Sequence, residues 1–324
     1  MNFKTKKLCI ILIIILSINC FSCVKYEYKY DSSILLNDLY TANDSTFAEG
    51  VAEKIIIPKV LEELTVNNVS ADCYFVSSTN RFESDFAKYH NAHKKVPMAS
   101  LTKLMTALVT LQNCKNLDDE YYVSSDAVDL DKDVSKANLQ VGDKVKIRDL
   151  LYGLLLPSGN DAANCLAENV ASSKDNFVIM MNNEARRLGA LHTHFANPHG
   201  LDSEFHFSTA YDLFLITREL AKYELFRSIS VADTYTADII KSDGTLRKEK
   251  WITTNFFVTK EFMLSNNVEL LGCKTGNTKN AGYCLVLLCK DKKTGVEYIS
   301  VVLNAKTKSN SYYNSNALLT SIPK

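Results

Sequence analysis

Apolar residues recur at helical spacing through the middle of the chain. In residues 101–111 the apolar side chains fall at positions 101, 104, 105, 108 and 111, which is the spacing of one helix face. The same pattern predicts four further helices, at 147–156, 161–170, 177–188 and 209–221. Thr209, followed three residues later by Asp212, predicts an N-terminal cap for the last helix. We therefore expect a helix-rich central region.

The pattern changes near residue 268. Three apolar runs separated by polar turns predict consecutive strands at 270–274, 282–289 and 297–303, and an alternating run predicts an earlier strand at 69–77. A helix-rich centre closed by consecutive strands predicts the α+β class, with helices packed on an antiparallel sheet.

The N-terminus has the layout of a secretory signal. A basic segment ending at Lys7 precedes an apolar run, Leu8–Ile18, and small and polar residues then continue to Cys23. The run is shorter than the roughly 20 residues that span a bilayer, so it predicts an export signal rather than a membrane helix, with an uncleaved anchor left open. Cys20 and Cys23 also leave lipid attachment open.

Composition and charge narrow the function classes. The 324 residues carry 37 Lys and Arg against 37 Asp and Glu, so net charge gives no reason to expect nucleic acid as a partner. Of the cysteines, those beyond the export segment form no Cys-x-x-Cys pair, which argues against a zinc or redox site and favours small buried side chains. We expect no metal and no cofactor.

Ser100 and Lys103 are the first candidate chemical pair. They are three residues apart at the start of the helix predicted at 101–111, so both project from one face and the amine can reach the hydroxyl. A serine is a weak nucleophile until a neighbouring base takes its proton, and a lysine serves as that base when its pKa is lowered. The pattern alone is common on helix surfaces.

Two further motifs follow in order. Ser158-Gly159-Asn160 lies in the turn between two predicted helices, where a hydroxyl can relay a proton and an amide can hold a peptide backbone. Lys274-Thr275-Gly276 ends a predicted strand, where an ammonium and a hydroxyl suit a terminal carboxylate and a glycine allows close approach. The triplet recurs at 293–295 in a charged segment between two strands, and there we predict a hairpin turn.

These motifs and their surroundings resemble the penicillin-recognising D-Ala-D-Ala carboxypeptidases of low molecular mass, and the Ser-x-x-K and Lys-Thr-Gly pair is a recognised signature of the wider group. The blocks that carry the resemblance are Pro97–Thr106, Asp149–Ala163, Asn197–Asp202, His206–Ala210, Lys274–Thr278 and Ala281–Cys284. The similarity extends from about residue 69 to residue 319. It implies a β-lactamase/transpeptidase-like fold with an antiparallel five-stranded sheet flanked by helices and a mostly helical subdomain.

The resemblance also implies a role for each motif residue. Ser100 would be the acylated nucleophile, Lys103 its base and Ser158 a proton shuttle. Asn160 would bind the substrate amide. Lys274, Thr275 and Gly276 would receive the terminal carboxylate, and the N–H groups of Ser100 and Asn277 would hold the oxyanion. The implied reaction removes the last D-alanine of the peptidoglycan stem pentapeptide through an acyl-enzyme, and β-lactams would acylate the same serine.

The same resemblance divides the chain. We expect a signal peptide or anchor at 1–23, a lead-in or tether at 24–60, and a penicillin-binding catalytic domain at 61–324 without the C-terminal β-domain of larger members. The protein would be exported to the periplasm or the outer face of the membrane. Its membrane contact would pass only through the N-terminal segment.

Two positions depart from the family pattern. Asn277 stands where the family often has histidine. Tyr312 is the nearest counterpart of a family arginine that helps bind the carboxylate, so the preferred reaction stays open. A D,D-endopeptidase acting on cross-links and a non-catalytic penicillin-sensing wall protein therefore stay as alternatives.

Two other classes are disfavoured. A class A β-lactamase needs a glutamate in a downstream loop, and residues 191–201 contain none. A zinc peptidase would use some of His192, His194, His199 and His206, but the His-Glu-x-x-His helix is missing.

Overall fold

The computed structural model describes residue 66, residues 69–79 and residues 86–323. The predicted signal segment and lead-in, residues 1–60, lie outside the described residues, as do Cys20 and Cys23. The described strands are β1 (Cys73–Ser78), β2 (Ala87–His90), β3 (Glu120–Tyr122), β4 (Lys144–Lys146), β5 (Thr234–Ile240), β6 (Leu246–Ile252), β7 (Val268–Thr278), β8 (Gly282–Asp291) and β9 (Glu297–Ala305). The described helices are α1 (Thr102–Asn113), α2 (Ser125–Val128), α3 (Ile147–Leu155), α4 (Asn160–Ala171), α5 (Lys174–Arg187), α6 (Ala210–Leu220), α7 (Glu224–Ser230) and α8 (Lys308–Thr320).

Five strands form one antiparallel sheet in the order β2-β1-β9-β8-β7. The four strands predicted from the sequence correspond to β1, β7, β8 and β9, and the α+β class with a five-stranded antiparallel sheet is confirmed. The strand β7, which carries the first Lys-Thr-Gly triplet, forms one edge of this sheet. Among the described strands, β7 therefore has a neighbour on one side only.

Both faces of this sheet are covered. In β1, Cys73 and Phe75 belong to a core that includes α1, α4 and α6, whereas Tyr74 and Val76 belong to a second core that includes α8. Successive strand residues point to opposite faces, so the alternation assigns each residue to one core. This double burial explains why the central strands consist almost entirely of apolar residues.

A second antiparallel sheet, in the order β3-β4-β5-β6, was not among the elements predicted from the sequence. It accompanies the helices that we expected to form a mostly helical subdomain. Its hairpin β5–β6 turns at Gly244, whose φ is 81°. Trp251 of β6 is buried and donates from Nε1 to the carbonyl of Ala137 at 2.9 Å, so the sheet supports the loop between α2 and β4.

The helix at the centre of the larger core is α1. Its first nine residues are all buried, including Lys103. The predicted helices correspond to α1, α3, α4, α5 and α6, with ends shifted by up to three residues. The predicted cap is also present, since the Thr209 hydroxyl accepts from the Asp212 N–H at 3.0 Å.

The six cysteines of the described residues are free, and five of them are buried. Burial raises the pKa of Cys273 and of Cys284 to about 12, so these thiols stay protonated. In the part of the chain that the structure describes, no helix is both long enough and apolar enough to span a membrane.

Candidate active site

Ser100 lies in a single 3-10 turn, Ala99–Leu101, that leads directly into α1. The Leu101 N–H closes the turn on the carbonyl of Met98 at 3.2 Å. Ala99 has a φ of 49°, a left-handed conformation that costs a residue with a Cβ about 1–2 kcal/mol. Such strain persists only where surrounding contacts hold it, and here it fixes a half-buried serine hydroxyl at the start of the helix.

Contacts on the far side of this turn hold it in place. Gly200 has a φ of 97°, and a Cβ at this position would overlap the carbonyl oxygen of Ala99, so only glycine fits. The Thr102 hydroxyl donates to the same carbonyl at 2.8 Å and lies 2.7 Å from Nε2 of His206. Two blocks that carried the resemblance, around Gly200 and His206, thus support the backbone that positions the candidate nucleophile.

Lys103 is fully buried and its ammonium faces three acceptors. Its Nζ donates to Ser100 Oγ at 3.0 Å, to Asn160 Oδ1 at 2.7 Å and to the carbonyl of His199 at 2.7 Å. Burial lowers the pKa of Lys103 well below its usual value, and the positive charge of Lys274 lowers it further. A lysine that loses its proton this readily can accept the proton of the Ser100 hydroxyl.

Ser158 and Lys274 form a second hydroxyl–amine pair. Lys274 Nζ donates to Ser158 Oγ at 2.9 Å and to the carbonyl of Thr275 at 2.8 Å. Burial lowers the pKa of Lys274 to about 7. Ser158 has a φ of 61°, in the turn between α3 and α4. This pair can therefore exchange a proton near neutral pH.

The start of α4 organises one wall of the site. The Asn160 side chain is buried, and its backbone N–H donates to the carbonyl of Ser135 at 2.9 Å. The Asp161 carboxylate accepts from the N–H groups of Ala137 at 2.7 Å and Leu139 at 3.1 Å. Asp161 thereby holds the loop 133–139 beside the site. The sequence marked Asp161 only as a helix start, so its supporting role was missed.

The edge strand β7 runs close to the turn that carries Ser100. A Cβ added to Gly276 would lie 3.1 Å from the carbonyl oxygen of Met98 and 3.2 Å from the nitrogen of Leu101, which is tighter than an ordinary contact. Asn277, the next residue, is exposed. The glycine of the triplet therefore lets the strand and the nucleophile turn form opposite sides of one narrow opening.

One cleft of about 480 Å³ brings most of the predicted residues together. Six of the eight predicted site residues line it: Ser100, Ser158, Asn160, Thr275, Gly276 and Asn277. Lys103 and Lys274 lie buried beneath them and reach the two serine hydroxyls. The cleft wall also includes Thr254 and Lys308, which no sequence motif singled out.

Tyr312, the predicted counterpart of the family arginine, is 1% exposed. Its hydroxyl accepts from the Phe256 N–H at 2.9 Å, and its ring packs against Phe257 and Phe262. The side chain therefore serves the core at the end of the cleft and offers no charge to a substrate.

Two of the histidines lie close to the candidate catalytic groups. Burial is the main cause that lowers the pKa of His199 to about 3 and of His206 to about 4, so both rings are neutral at physiological pH. Across residues 66, 69–79 and 86–323, no group of three or more His, Cys, Asp or Glu side chains is placed to hold a metal ion.

The chain matches one protein family and several of its curated members. A family model described as D-alanyl-D-alanine carboxypeptidase matches residues 86–307. The chain is 30% identical over 277 residues to the D-alanyl-D-alanine carboxypeptidase DacF of Bacillus subtilis (strain 168), which covers 81% of this chain and 66% of that protein. It is 35% identical over 241 residues to DacC of Escherichia coli (strain K12), which covers 71% of this chain and 56% of that protein.

A solved structure shows the same fold. The crystal structure of the Streptomyces K15 DD-transpeptidase matches with a TM-score of 0.71 and 30% identity, covering 79% of this chain and 98% of that chain. The predicted transpeptidase-like fold is thereby confirmed. The chain spans less than two thirds of the length of the curated relatives DacF and DacC.

Proposed function

Because the chain belongs to the D-alanyl-D-alanine carboxypeptidase family, we propose that it is a serine-type D-Ala-D-Ala carboxypeptidase. Its substrate would be the peptidoglycan stem pentapeptide, from which it removes the terminal D-alanine. The observation that carries this proposal is the contact of buried Lys103 with Ser100 Oγ at 3.0 Å, in a cleft that also contains the Lys274–Ser158 pair.

Acylation begins at Ser100. Lys103, which burial favours in its neutral form, takes the proton of the hydroxyl while Oγ attacks the carbonyl carbon of the penultimate D-alanine. The resulting oxyanion would be held by the backbone N–H groups of Ser100 and Asn277, each worth on the order of 3 kcal/mol to the transition state. Asn160, already hydrogen-bonded to Lys103, would orient the substrate amide.

The leaving group departs through the second pair. The bond between the carbonyl carbon and the amine of the terminal D-alanine breaks, and the amine takes the proton of the Ser158 hydroxyl. Ser158 recovers a proton from Lys274, whose pKa of about 7 makes it an effective donor near neutral pH. The product is an ester between Ser100 and the shortened peptide.

Before deacylation, Lys103 releases to solvent the proton that it took from Ser100, and Lys274 takes one up. A water molecule then gives its proton to Lys103 and attacks the ester carbonyl. The bond between the carbonyl carbon and Ser100 Oγ breaks, and Oγ takes that proton from Lys103. A β-lactam would acylate the same hydroxyl, because its strained amide occupies the position of the scissile peptide bond. β-Lactams would therefore inhibit the enzyme.

Location follows from the substrate. Peptidoglycan lies outside the cytoplasmic membrane, so the protein would act there after export through the segment 1–23. Attachment would be N-terminal, either through an uncleaved segment or through lipid on Cys20 or Cys23. Cell fractionation tests export, and a protein found in the cytoplasm would contradict it. Metabolic lipid labelling of Cys20→Ser and Cys23→Ser variants tests whether either cysteine carries lipid.

A Ser100→Ala variant tests the proposal directly. The wild-type protein should bind a fluorescent penicillin covalently and release D-alanine from a pentapeptide ending in D-Ala-D-Ala, because both reactions use the Ser100 hydroxyl. In the variant both signals should vanish, since alanine removes the nucleophile. Gel fluorescence measures the labelling, and an enzymatic D-amino-acid assay measures the release.

Ser135→Ala is the matched control, because this serine also lines the cleft but contacts neither buried lysine. It should keep both activities. Labelling without D-alanine release would favour the endopeptidase or the penicillin-sensing alternative, and cross-linked muropeptides would separate these two. A wild-type protein that takes no label would contradict the proposal.

A further inference from the structure

The charged side chains that line the cleft described above are Asp133, Asp202 and Lys308. Among the described residues that line it, Lys308 is the only lysine or arginine. It lies in the first turn of α8, the helix that also brings Ser311 and Tyr312 to the cleft wall. No motif in the sequence marked this helix as part of the site.

Aromatic contacts hold the Lys308 side chain in position. Its Nζ lies 3.3 Å from the centroid of the Phe256 ring, which is close enough for a cation–π interaction. Phe256 in turn stacks on Tyr312 with a centroid distance of 5.5 Å. The Lys308 side chain, which lines the cleft, is therefore held by a packed aromatic surface and not by a flexible surface ion pair.

The Lys308 charge has no partner of opposite sign among the described residues, since none of their carboxylates lies within 4.0 Å of its ammonium. Partial burial lowers its pKa, and the negative charge of Glu261 opposes this only in part. A lysine in the first turn of a helix also opposes the helix dipole, and the first turn of α8 contains no acidic residue. An anion bound here would therefore offset both the partial burial of the Lys308 ammonium and its unfavourable position at the positive end of the helix dipole.

Two hydroxyl groups line the same cleft as Lys308. Thr254 Oγ1 and Thr275 Oγ1 lie 2.8 Å apart, and both residues line the cleft. Thr254 is two residues from Phe256, the ring that holds Lys308. Lys274 lies below Thr275, but with a pKa of about 7 it carries only part of a charge at neutral pH. Lys308 would therefore supply the fixed positive charge.

We propose that Lys308 is the cation that selects peptides ending in a free carboxylate, with the hydroxyls of Thr254 and Thr275 as neighbouring donors. This proposal rests on the proposed function, because it names the group of the substrate that this part of the cleft reads. Lys308 lies outside the three motifs and would determine specificity for the free carboxylate. It is on α8, the same helix as Tyr312, whose side chain offers no charge.

The test compares two substrates and three variants. The substrates are a pentapeptide ending in D-Ala-D-Ala with a free carboxylate and the same peptide with a C-terminal amide. The variants are Lys308→Met, Lys308→Arg and Lys306→Met. Lys306 is the matched control because it is exposed, lies two residues away and does not line the cleft.

We expect Lys308→Met to lower kcat/KM for the free acid about 10- to 100-fold, the range of a hydrogen bond to a charged group. The same variant should leave the amide substrate within about twofold, because the amide carries no charge for Lys308 to read. Lys308→Arg should restore most of the activity on the acid, and Lys306→Met should resemble the wild-type protein on both substrates. Thermal melting of each variant checks that it is folded.

Binding to Ser100→Ala separates this proposal from the proposed function. Calorimetry on that background measures the affinity for the acid and amide peptides without turnover, and adding Lys308→Met should reduce the preference for the acid about 10- to 100-fold. A preference that does not change would overturn the role of Lys308 even in an active carboxypeptidase. Equal losses on both peptides would also overturn it, because a residue that only supports the fold does not distinguish them.

Discussion

The triplet Lys-Thr-Gly occurs twice in this chain, and its two copies have opposite surroundings. Lys274–Gly276 lies in the edge strand β7, where the lysine is 2% exposed and reaches Ser158. Residues 293–295 lie in the turn between β8 and β9, as predicted, where the lysine side chain is exposed. There Asp291 Oδ1 accepts from the Lys293 N–H at 3.0 Å and the Thr294 N–H at 2.7 Å.

The difference shows that the chemistry of the triplet comes from its surroundings. In β7, burial lowers the pKa of Lys274 to about 7, and the glycine allows close approach to the turn at Ser100. In the hairpin, the threonine and the backbone serve an aspartate-centred turn, and Gly295 supplies a φ of 75°. Identical residues thus form a buried lysine–serine contact in one place and a turn in the other.

The largest contrast should come from replacing each lysine by alanine. Lys274→Ala should lower kcat/KM for D-alanine release by about 100-fold or more, because it would remove the proposed proton source for Ser158. Lys293→Ala should change it less than twofold, since that side chain is exposed in the turn between β8 and β9. Steady-state kinetics measures both. Comparable losses in the two variants would contradict the assignment of catalysis to Lys274 alone.

Lys274 should also make stability depend on pH. An unfolded lysine binds its proton up to about pH 10.5, whereas folded Lys274 releases it near pH 7. Between these values the unfolded state binds more protons, so the group's contribution to stability rises with pH, by about 1.4 kcal/mol per unit at most. The unfavourable contribution is therefore complete below pH 7.

Replacing Lys274 by methionine removes that contribution. The melting temperature of Lys274→Met relative to the wild-type protein should be higher at pH 6 than at pH 10, even though activity is lost. Lys293→Met provides the comparison, and its difference from the wild-type protein should stay nearly constant across the range. Thermal melts followed by circular dichroism at pH 6, 8 and 10 check this. A difference for Lys274→Met that does not change with pH would contradict the lowered pKa.

Much of the fold could be predicted because local pattern and tertiary burial agree. The helices α1, α3 and α6 show apolar spacing, and β8 and β9 are continuous apolar runs. The helix α8 was missed because its residues 308–317 are mainly Lys, Ser, Asn and Tyr, which form helices poorly without tertiary contacts. The hairpin β5–β6 was missed because polar and charged side chains together make up most of its exposed face and the apolar alternation is weak.

The sequence predicted those residues of the site that belong to the three motifs. The three motifs named the residues that converge on the cleft, although their roles stay predictions until variants are measured. Asp161, Thr254 and Lys308 were missed because each acts through contacts between segments far apart in the chain. No local pattern encodes a threonine pair across 21 positions or an ammonium above a distant ring.

The smallest expected effects come from the two glycines, and they differ in kind. Gly295→Ala should lower the free energy of unfolding by about 1 kcal/mol, because alanine is strained at a φ of 75°, while activity stays near that of the wild-type protein.

Gly276→Ala meets no such strain, but its methyl group would press on the turn at Ser100, so penicillin acylation should slow about tenfold with little change in stability. Denaturant melts and acylation rates together measure both. If Gly276→Ala loses stability and keeps its acylation rate, the close approach of β7 to the nucleophile turn has no part in catalysis.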